Sequence, residues 1–249
     1  MIVDINCFAG HWPSRDLKGD LASVRDSLRR YGVGRLFTSP LDAAWHRNPH
    51  LANDAFCRAV EAYDDVSPVP VLDPTVATWD AELGRAAEHP DVRLVKLLPA
   101  YSPYRLSEAD DLLSAAADAG LAAICQTRLE DRRRQHPLAQ VPDVAIADVV
   151  AAAERHAGLV VIVGGARFAE ARSLRDRLLD MPNLYVETSQ MDGLDAVRAL
   201  VDDGLAPKLL FGSHAPFFIP YAAVARVVTD IDDADASAIL GENALRLLG

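Results

Sequence analysis

The pattern that decides the fold begins with Ile2-Val3-Asp4-Ile5-Asn6-Cys7-Phe8, a short apolar and β-branched run at the start of the chain. Similar runs recur about every 30 residues, and Ala/Leu/Arg-rich segments with helical periodicity lie between them. The predicted strands are Ile2–Phe8, Arg35–Ser39, Ser67–Leu72, Leu94–Leu98, Ala122–Gln126, Leu159–Val163, Leu184–Glu187 and Lys208–Phe211. Strands that alternate with helices pair in parallel, and eight such units predict an α/β fold, a single (β/α)8 TIM barrel.

Helix-end signals support this alternation. The predicted helices with such signals are Ser107–Ala119, with Ser107 as N-cap and Gly120 after its end, Asp148–His156, and Ala169–Leu179. A doubly wound open sheet is the alternative fold. However, no glycine-rich dinucleotide fingerprint follows the first strand, and Gly164-Gly165 is too short to be one. No linker or shift in composition divides the chain, so residues 1–249 are predicted to form one domain.

The composition indicates a folded protein and argues against some partners. Acidic residues outnumber basic ones by 36 to 25, and the formal charge of −11 repels phosphate backbones, so nucleic-acid binding is not expected. The run Arg132-Arg133-Arg134 follows two acidic residues and is interpreted as a solvated, salt-bridged face. The three cysteines show no disulfide spacing, and neither a signal peptide nor a membrane span is visible. A cytoplasmic protein is therefore expected.

Several motifs occur in the order and spacing of one known family. They are strand one with Asp4, the segments Val71-Leu72-Asp73-Pro74 and Val95-Lys96-Leu97-Leu98-Pro99, the ending Gly212-Ser213-His214-Ala215-Pro216, and the C-terminal Asn243-Ala244-Leu245-Arg246-Leu247-Leu248-Gly249. Together they resemble the amidohydrolase superfamily in its amidohydrolase-related branch. That branch includes hydrolases and the aminocarboxymuconate-semialdehyde decarboxylase group. The resemblance implies a TIM barrel with its chemistry at the carboxyl ends of the strands.

The same resemblance implies a divalent metal, but the usual ligand positions are changed here. Members of the family bind the metal through two strand-one histidines, often with histidines from strands five and six and an aspartate from strand eight. These positions correspond to Asn6, Phe8, Gln126, Gly164 and His214. Phe8 and Gly164 offer no donor, and amides are poor zinc ligands. No metal or other cofactor is therefore predicted; the alternative is a zinc ion held by a rearranged set such as His11, His136 and His214.

Four residues are the candidates for acid–base or nucleophilic chemistry. His214 follows the last strand, and an imidazole titrates near neutral pH. His11 follows strand one, and His136 lies in the long polar loop after strand five, which is interpreted as a possible cover over the substrate. Lys96 interrupts an apolar strand, so it must either be paired, for example with Asp4 or Glu187, or face a polar cavity as an anion hook or a reactive amine.

The candidate substrate-binding residues lie at the same strand ends. Arg128 is predicted to make a bidentate contact with a carboxylate. The others are Asn6, Gln126, Asp4, Glu187 and Trp12, for which polar or structural filling of the barrel is the alternative. No Ser–His–Asp or Cys–His nucleophile pattern is present, since Cys7 and Cys125 lie in apolar strands and are interpreted as packed.

Without a metal, easier reactions are favoured, because positioned acids and bases contribute about 10²–10⁴ in rate. We therefore expect a metal-independent enzyme, a hydrolase of lactones or activated esters or a decarboxylase, that acts on a small carboxylated acid. His214 would be the acid or base, and Lys96 and Arg128 would hold the anion. One alternative is a metal hydrolase with relocated ligands. The other is a barrel that binds a small molecule or partner without turnover. The oligomeric state is open.

Overall fold

The structure is a computed structural model that describes residues 1–193 and 195–249. Parallel strands alternate with helices along the chain. The strands are β1 Ile2–Ala9, β2 Val33–Pro40, β3 Val66–Pro68, β4 Leu94–Leu97, β5 Ala122–Gln126, β6 Val161–Gly164, β7 Leu184–Glu187 and β8 Leu209–Leu210. The helices are α1 Leu21–Arg29, α2 His50–Val60, α3 Trp79–Glu88, α4 Asp110–Asp118, α5 Ile146–Arg155, α6 Phe168–Ser173, α7 Arg175–Asp180, α8 Ala196–Asp202, α9 Pro220–Val228, α10 Asp233–Ser237 and α11 Asn243–Leu248.

The strands form a three-stranded and a five-stranded parallel sheet, and a few backbone hydrogen bonds at each junction join the two sheets into a ring. The sheet orders are β1-β2-β3 and β4-β5-β6-β7-β8. The segment after β3 bonds to β4, since Lys96 N donates to the Pro70 carbonyl at 2.8 Å. The segment after β8 bonds to β1: Ile5 N donates to Phe211 O at 3.0 Å, and His214 N donates to Asn6 O at 2.9 Å. The predicted TIM barrel is confirmed, as are all eight strands to within a few residues.

The hydrophobic core has two layers, as expected for a barrel of alternating strands. One cluster fills the barrel interior with buried side chains such as Ile5, Phe37, Ile124 and Leu210. A larger cluster lies between the strands and the surrounding helices. Cys7 and Cys125 are fully buried there as free thiols, which confirms that they are packed residues.

A bulge in β1 places Asn6 toward the barrel axis. Asp4 pairs with Leu36 and Cys7 pairs with Thr38, so β1 carries one more residue than β2 between these two pairs. Such a bulge breaks the strict alternation of side chains along a strand. As a result Ile5 packs in the barrel interior while the next residue, Asn6, bonds to side chains of β4, β5 and β7. The sequence pattern alone contained no signal for this bulge.

Two of the predicted helices differ in detail. The segment Ala169–Leu179 was predicted as one helix, but it forms α6 and α7, which are separated at Leu174. The Ser173 hydroxyl donates to the Glu170 carbonyl at 2.7 Å, and Leu174 N donates to Ala171 O instead. This local bond competes with the helical ladder. The predicted helix Ser107–Ala119 is shorter: α4 begins at Asp110 after Ala109, so Ser107 is not its N-cap and instead lies in a 3-10 turn, Leu106–Glu108. α4 ends before Gly120, whose φ of +70° fits the predicted position after a helix.

No helix within the described ranges is both long enough and apolar enough to cross a membrane.

Candidate functional site

Asn6 is the centre of a buried polar network at the carboxyl ends of the strands. Its Oδ1 accepts a hydrogen bond from Lys96 Nζ at 2.7 Å. Its Nδ2 donates to Glu187 Oε1 at 3.0 Å and to Gln126 Oε1 at 3.2 Å. All four side chains are buried, with at most 2% of their surface exposed. The structure thus brings together four of the residues that the sequence predicted as site residues, from β1, β4, β5 and β7.

Lys96 is a fully buried amine with one hydrogen-bonding partner in the network. The Phe8 ring covers it, with Nζ 3.8 Å from the ring centroid, which is a cation–π geometry. Burial lowers the pKa of Lys96 to about 7, although the nearby charges of Glu187 and Asp4 oppose this shift. The sequence analysis gave a direct ion pair of Lys96 with Asp4 or Glu187 as one alternative. The ammonium forms no direct ion pair with either carboxylate. A lysine with this pKa exchanges a proton near neutral pH.

The Glu187 carboxylate accepts four hydrogen bonds. Its Oε1 accepts from Gly165 N at 2.5 Å, Ser189 Oγ at 2.8 Å and Asn6 Nδ2, and its Oε2 accepts from Ser189 N at 2.6 Å. Burial raises its pKa, and these hydrogen bonds oppose the shift. The carboxylate therefore fixes the ends of β6 and β7 and orients the Asn6 amide.

Asp4 lies next to the network and ties β1 to the segment after β8. Its Oδ1 accepts from Ser213 N at 3.0 Å and from Asn6 N at 3.1 Å, while Oδ2 has no hydrogen-bond partner among the described residues. Burial raises the pKa of Asp4 to about 6. The structure supports an orienting role, since Asp4 fixes the backbone of Asn6 and of the turn that carries His214.

His214 is buried and neutral. Its Nε2 lies 2.6 Å from the Leu129 carbonyl oxygen, which can only accept, so Nε2 carries the proton and Nδ1 keeps a lone pair. Burial lowers the pKa of His214 to about 3. Nδ1 has no partner in the described part of the chain. This geometry corrects the expectation that His214 is an acid: its only ring proton is engaged with a backbone carbonyl.

Aromatic side chains close the barrel above these groups. Five aromatic residues form what is here called the aromatic layer: Phe8, Trp12, Trp45, Tyr101 and Phe217. The ring centroid of Trp12 lies 5.0 Å from that of Trp45 and 4.9 Å from that of Phe217. Phe8 and Phe217 each lie 5.2 Å from the His214 ring. Trp12, predicted to bind substrate, belongs to this layer and donates from Nε1 to Glu130 at 3.1 Å. The layer separates Lys96 and His214 from solvent.

Two predicted site residues lie apart from the network, and a third, Arg128, contacts it only through its backbone carbonyl, which accepts from Gln126 Nε2 at 2.8 Å. His11 is exposed and is held through its backbone N–H by Asp42 at 3.1 Å. His136 is also exposed, and its Nδ1 accepts from Leu138 N at 3.2 Å. Arg128 is buried and forms ion pairs with Glu170 at 2.6 Å and Asp143 at 2.9 Å. Its guanidinium thus has two carboxylate partners, which corrects the view of Arg128 as a free anion hook.

The donor set does not fit a divalent metal ion. No group of three or more His, Cys, Asp or Glu side chains within residues 1–193 and 195–249 is arranged to hold one, so His11, His136 and His214 do not form the rearranged set. Lys96 Nζ bonds to Asn6 and faces Phe8, the two changed strand-one positions. At Gly164 an added Cβ would lie 2.5 Å from Gln126 Oε1, so Gln126 fills the space that a side chain there needs. An ammonium and amides replace anionic and imidazole ligands.

The sequence analysis did not predict a role for Gln190, which follows β7 and lies beside the network. Its Nε2 donates to the Arg128 carbonyl at 3.3 Å and lies 3.3 Å from His214 Nε2. Phe218, from the segment after β8, also packs against His214 with ring centroids 5.2 Å apart. Their position just past a strand is the signal that a site at the strand ends offers. Gln190 lacks an ionisable group, however, so a search for acid–base residues does not select it.

Comparisons with known proteins agree with this architecture. The amidohydrolase family profile matches residues 16–249. No curated protein sequence matches the chain. The 5-carboxyvanillate decarboxylase of Sphingomonas paucimobilis is similar in structure, with a TM-score of 0.73, 15% identity and coverage of 99% of this chain and 98% of that one. A 2,6-dihydroxybenzoate decarboxylase in complex with 2,6-dihydroxybenzoate has a TM-score of 0.75 at 15% identity over 99% and 98% of the two chains.

A further similar structure is that of a dihydroxybenzoic acid decarboxylase from Polaromonas sp. with bound manganese and the inhibitor 2-nitroresorcinol. Its TM-score is 0.70 at 13% identity, over 99% of this chain and 96% of that one. At these identities the likeness establishes the fold alone. The manganese of that protein stands in contrast to the amide and ammonium groups at the barrel centre here.

Proposed function

The chain belongs to the amidohydrolase family, and on this basis we propose that it is a carbon–carbon lyase that removes CO₂ from a small carboxylated acid. Family membership confirms the prediction of an enzyme, a hydrolase or a decarboxylase. Three similar structures are those of decarboxylases of aromatic acids, which supports the lyase over the hydrolase.

One observation carries the proposal: a buried amine occupies the centre of the site. Lys96 Nζ lies 2.7 Å from Asn6 Oδ1 under the Phe8 ring, and burial brings its pKa to about 7. An ammonium in a water-excluded site stabilises negative charge that develops on a reacting molecule. It also donates a proton efficiently, because its pKa lies near neutral pH. In this proposal Lys96 supplies the positive charge, and no metal ion takes part.

The reaction consumes one proton for each CO₂ released. The bond between the carboxylate carbon and the substrate carbon breaks, and its electron pair stays on the substrate carbon. Lys96 donates its proton to that carbon, which forms the new C–H bond, and a proton from solvent restores the ammonium. Asn6 holds Nζ in place, and Glu187 orients Asn6. For a substrate to reach Lys96, Phe8 has to rotate and the segment that carries Phe217 has to move. This segment lies at the surface, since its residue Ile219 is 70% exposed.

Hydrolysis of a lactone or activated ester is less well supported. It requires a base that activates water, and two buried acceptors near the network have no hydrogen-bond partner among the described residues, Asp4 Oδ2 and His214 Nδ1. That imidazole is a weak base, because burial lowers its pKa to about 3, and aromatic rings enclose it. Burial also raises the pKa of the Cys7 and Cys125 thiols, which makes both poor nucleophiles.

A second candidate function, ligand binding without turnover, is favoured by the aromatic layer. Lys96, Asn6, Glu187 and His214 are all 0% exposed, and Phe8 lies directly over Lys96. A barrel that has lost catalysis would keep such a packed centre. Binding would then raise the melting temperature, because a native-state ligand stabilises by RT ln(1 + [L]/Kd), and no product would form.

The test is CO₂ release from hydroxybenzoates and β-oxo acids by the wild type and by Lys96→Met. The matched control is Lys208→Met, because Lys208 donates to backbone carbonyls of Met181 and Leu184 near the opposite end of the barrel. We expect Lys96→Met to lower kcat by about 10²-fold or more and Lys208→Met to leave kcat unchanged. Unchanged turnover in Lys96→Met would exclude the proposed role. Thermal stabilisation by an acid of the panel with no CO₂ release would favour the binding barrel.

A further inference from the structure

Three connecting segments meet above Lys96 at the carboxyl end of the barrel. They are the loop after β1, residues 10–20, the loop after β5, residues 127–145, and the segment after β8, residues 211–219. In the ring of eight strands, β1 and β5 are four strands apart in either direction. A contact between the loops after β1 and β5 therefore spans the mouth of the barrel.

Glu130, in the loop after β5, makes such a contact. Its Oε2 accepts from Trp12 Nε1 at 3.1 Å, and its Oε1 lies 2.9 Å from Nη2 of Arg15. Trp12 and Arg15 both belong to the loop after β1. Only 4% of the Glu130 surface and 2% of the Trp12 surface is exposed. The contact is therefore largely buried, unlike a typical surface ion pair, which contributes little.

Trp12 and Arg15 also hold the segment after β8 in place. The Phe217 ring centroid lies 4.9 Å from that of Trp12 and 5.8 Å from the guanidinium carbon of Arg15. Phe217 in turn lies 6.2 Å from Phe8, the ring that covers Lys96. A continuous series of contacts thus joins the carboxylate at the mouth to the ring over the amine.

The loop after β1 can move as a unit, whereas the loop after β5 is anchored. Gly10 N donates to the Gly19 carbonyl at 2.7 Å, which closes the base of the loop after β1. Gly10 has a φ of +137°, which glycine adopts at little cost. Glycines at both ends of a surface loop are suited to a hinge. Arg128, by contrast, ties the loop after β5 to Glu170 of α6 at 2.6 Å.

The Glu130 contact holds this loop against an opposing cost of burial. Burial raises the pKa of Glu130, while the charge of Arg15 and the hydrogen bond from Trp12 oppose the shift. When the loop opens, the carboxylate and the guanidinium return to water and regain their hydration. Opening therefore costs less than the attraction between the two charges alone.

We propose that Glu130 is the latch of a lid, and that release of its contacts with Trp12 and Arg15 lets a substrate reach Lys96. The lid is the loop after β1, together with the aromatic rings that pack beneath it. Glu130 is a positioning residue, since it acts through its two partners. This inference rests on the proposed function, in which Lys96 is the reacting group.

The experiment measures how fast an acetylating N-hydroxysuccinimide ester labels Lys96 in the full chain, with detection by peptide mass spectrometry. Lys208, near the opposite end of the barrel, is the internal reference. We expect Glu130→Gln and Arg15→Gln each to raise the labelling of Lys96 relative to Lys208 about tenfold, because each removes a charge-assisted contact. The double variant should be no faster than either single variant, since both changes break the same contact.

Asp131→Asn is the matched control. Asp131 follows Glu130 directly, but it pairs with Arg133 of the same loop at 2.7 Å, so its ion pair does not span the mouth. This variant should label Lys96 at the rate of the wild type. Acceleration equal to that of Glu130→Gln would overturn the proposal, because any disturbance of the loop would then suffice.

Unchanged labelling of Lys96 in both single variants would also overturn the latch, as would additive effects in the double variant. Equal acceleration at Lys96 and Lys208 would do the same, since the barrel would then be loosened as a whole. The labelling does not depend on turnover, which separates the latch from the proposed function. Faster labelling in the variants of a protein that releases no CO₂ from any acid would refute the decarboxylase alone.

Discussion

The Nζ atom of Lys96 lies 3.8 Å from the centre of the Phe8 ring, in a cation–π contact at the centre of the barrel. Phe8 stands at a position where the related family carries a metal-binding histidine. The resemblance to the family implies an imidazole at this position, and the structure has a ring that covers an ammonium of the chain itself. Two carboxylates, Asp4 and Glu187, surround this charge without forming a direct ion pair with it.

The first prediction concerns the pH dependence of turnover. In the proposed reaction Lys96 acts as an ammonium, and burial lowers its pKa to about 7, so kcat should fall as pH rises through about 7. The Asp4 carboxylate favours the ammonium form, and Asp4→Asn should therefore shift the falling limb to lower pH. The measurement is kcat between pH 5 and 9 for both proteins. A limb that moves to higher pH in Asp4→Asn would show that another group titrates.

A second prediction concerns metal content. Two amides, a phenylalanine and a glycine at the ligand positions, with the Lys96 ammonium beside them, should leave the purified protein with much less than one divalent ion per chain. Elemental analysis of protein prepared without chelators or an affinity tag checks this, and a chelator should not change kcat. Manganese should also leave the melting temperature unchanged, since an ion that binds the native state would raise it. One ion per chain, lost together with activity, would revive the metal hydrolase.

Third, Lys96→Met should fold normally although Lys96 is fully buried. Removal of a buried charge is favourable, whereas the loss of the donor to Asn6 Oδ1 costs about 1–3 kcal/mol, so the two effects largely offset each other. We expect the free energy of unfolding to change by less than about 2 kcal/mol in denaturant titration. A loss of cooperative unfolding would instead show that the ammonium holds the barrel together.

Fourth, His214 should make the protein sensitive to acid. Burial lowers its pKa from 6.5 to about 3, so between these values the unfolded state binds the extra proton and stability rises with pH. Relative to His214→Gln, the wild type should lose up to about 1.4 kcal/mol of unfolding free energy per pH unit as pH falls below 6.5. Asp4 also titrates in this pH range, but it is present in both proteins, so its contribution cancels when the two unfolding free energies are subtracted. A difference that does not change with pH would contradict the buried neutral imidazole.

Fifth, Glu187 should be a major determinant of stability. Four donors converge on its buried carboxylate, and Glu187→Ala leaves them without their acceptor. The expected loss is about 3 kcal/mol of unfolding free energy. Glu130→Ala is a useful comparison, because Glu130 is also buried but its partners Arg15 and Trp12 come from a loop. Equal losses in the two variants would mean that the network adds nothing beyond burial.

The sequence by itself determined the barrel, because strand and helix periodicity and short apolar runs are local properties that the chain carries along its length. It also determined that polar side chains stand at the strand ends, among them Lys96, Asn6, Gln126 and Glu187. Their place at one site follows from the fold, because the carboxyl ends of the parallel strands in a barrel meet on one face.

Only the tertiary structure decided how those residues are used. The β1 bulge that places Asn6 beside Lys96, the two carboxylates that occupy Arg128, and the carbonyl that fixes the His214 tautomer all depend on residues distant in sequence. Burial and hydrogen-bond partners set the pKa of each group, and these arise only when the strands close into a ring, so residue type and spacing alone do not fix the chemistry.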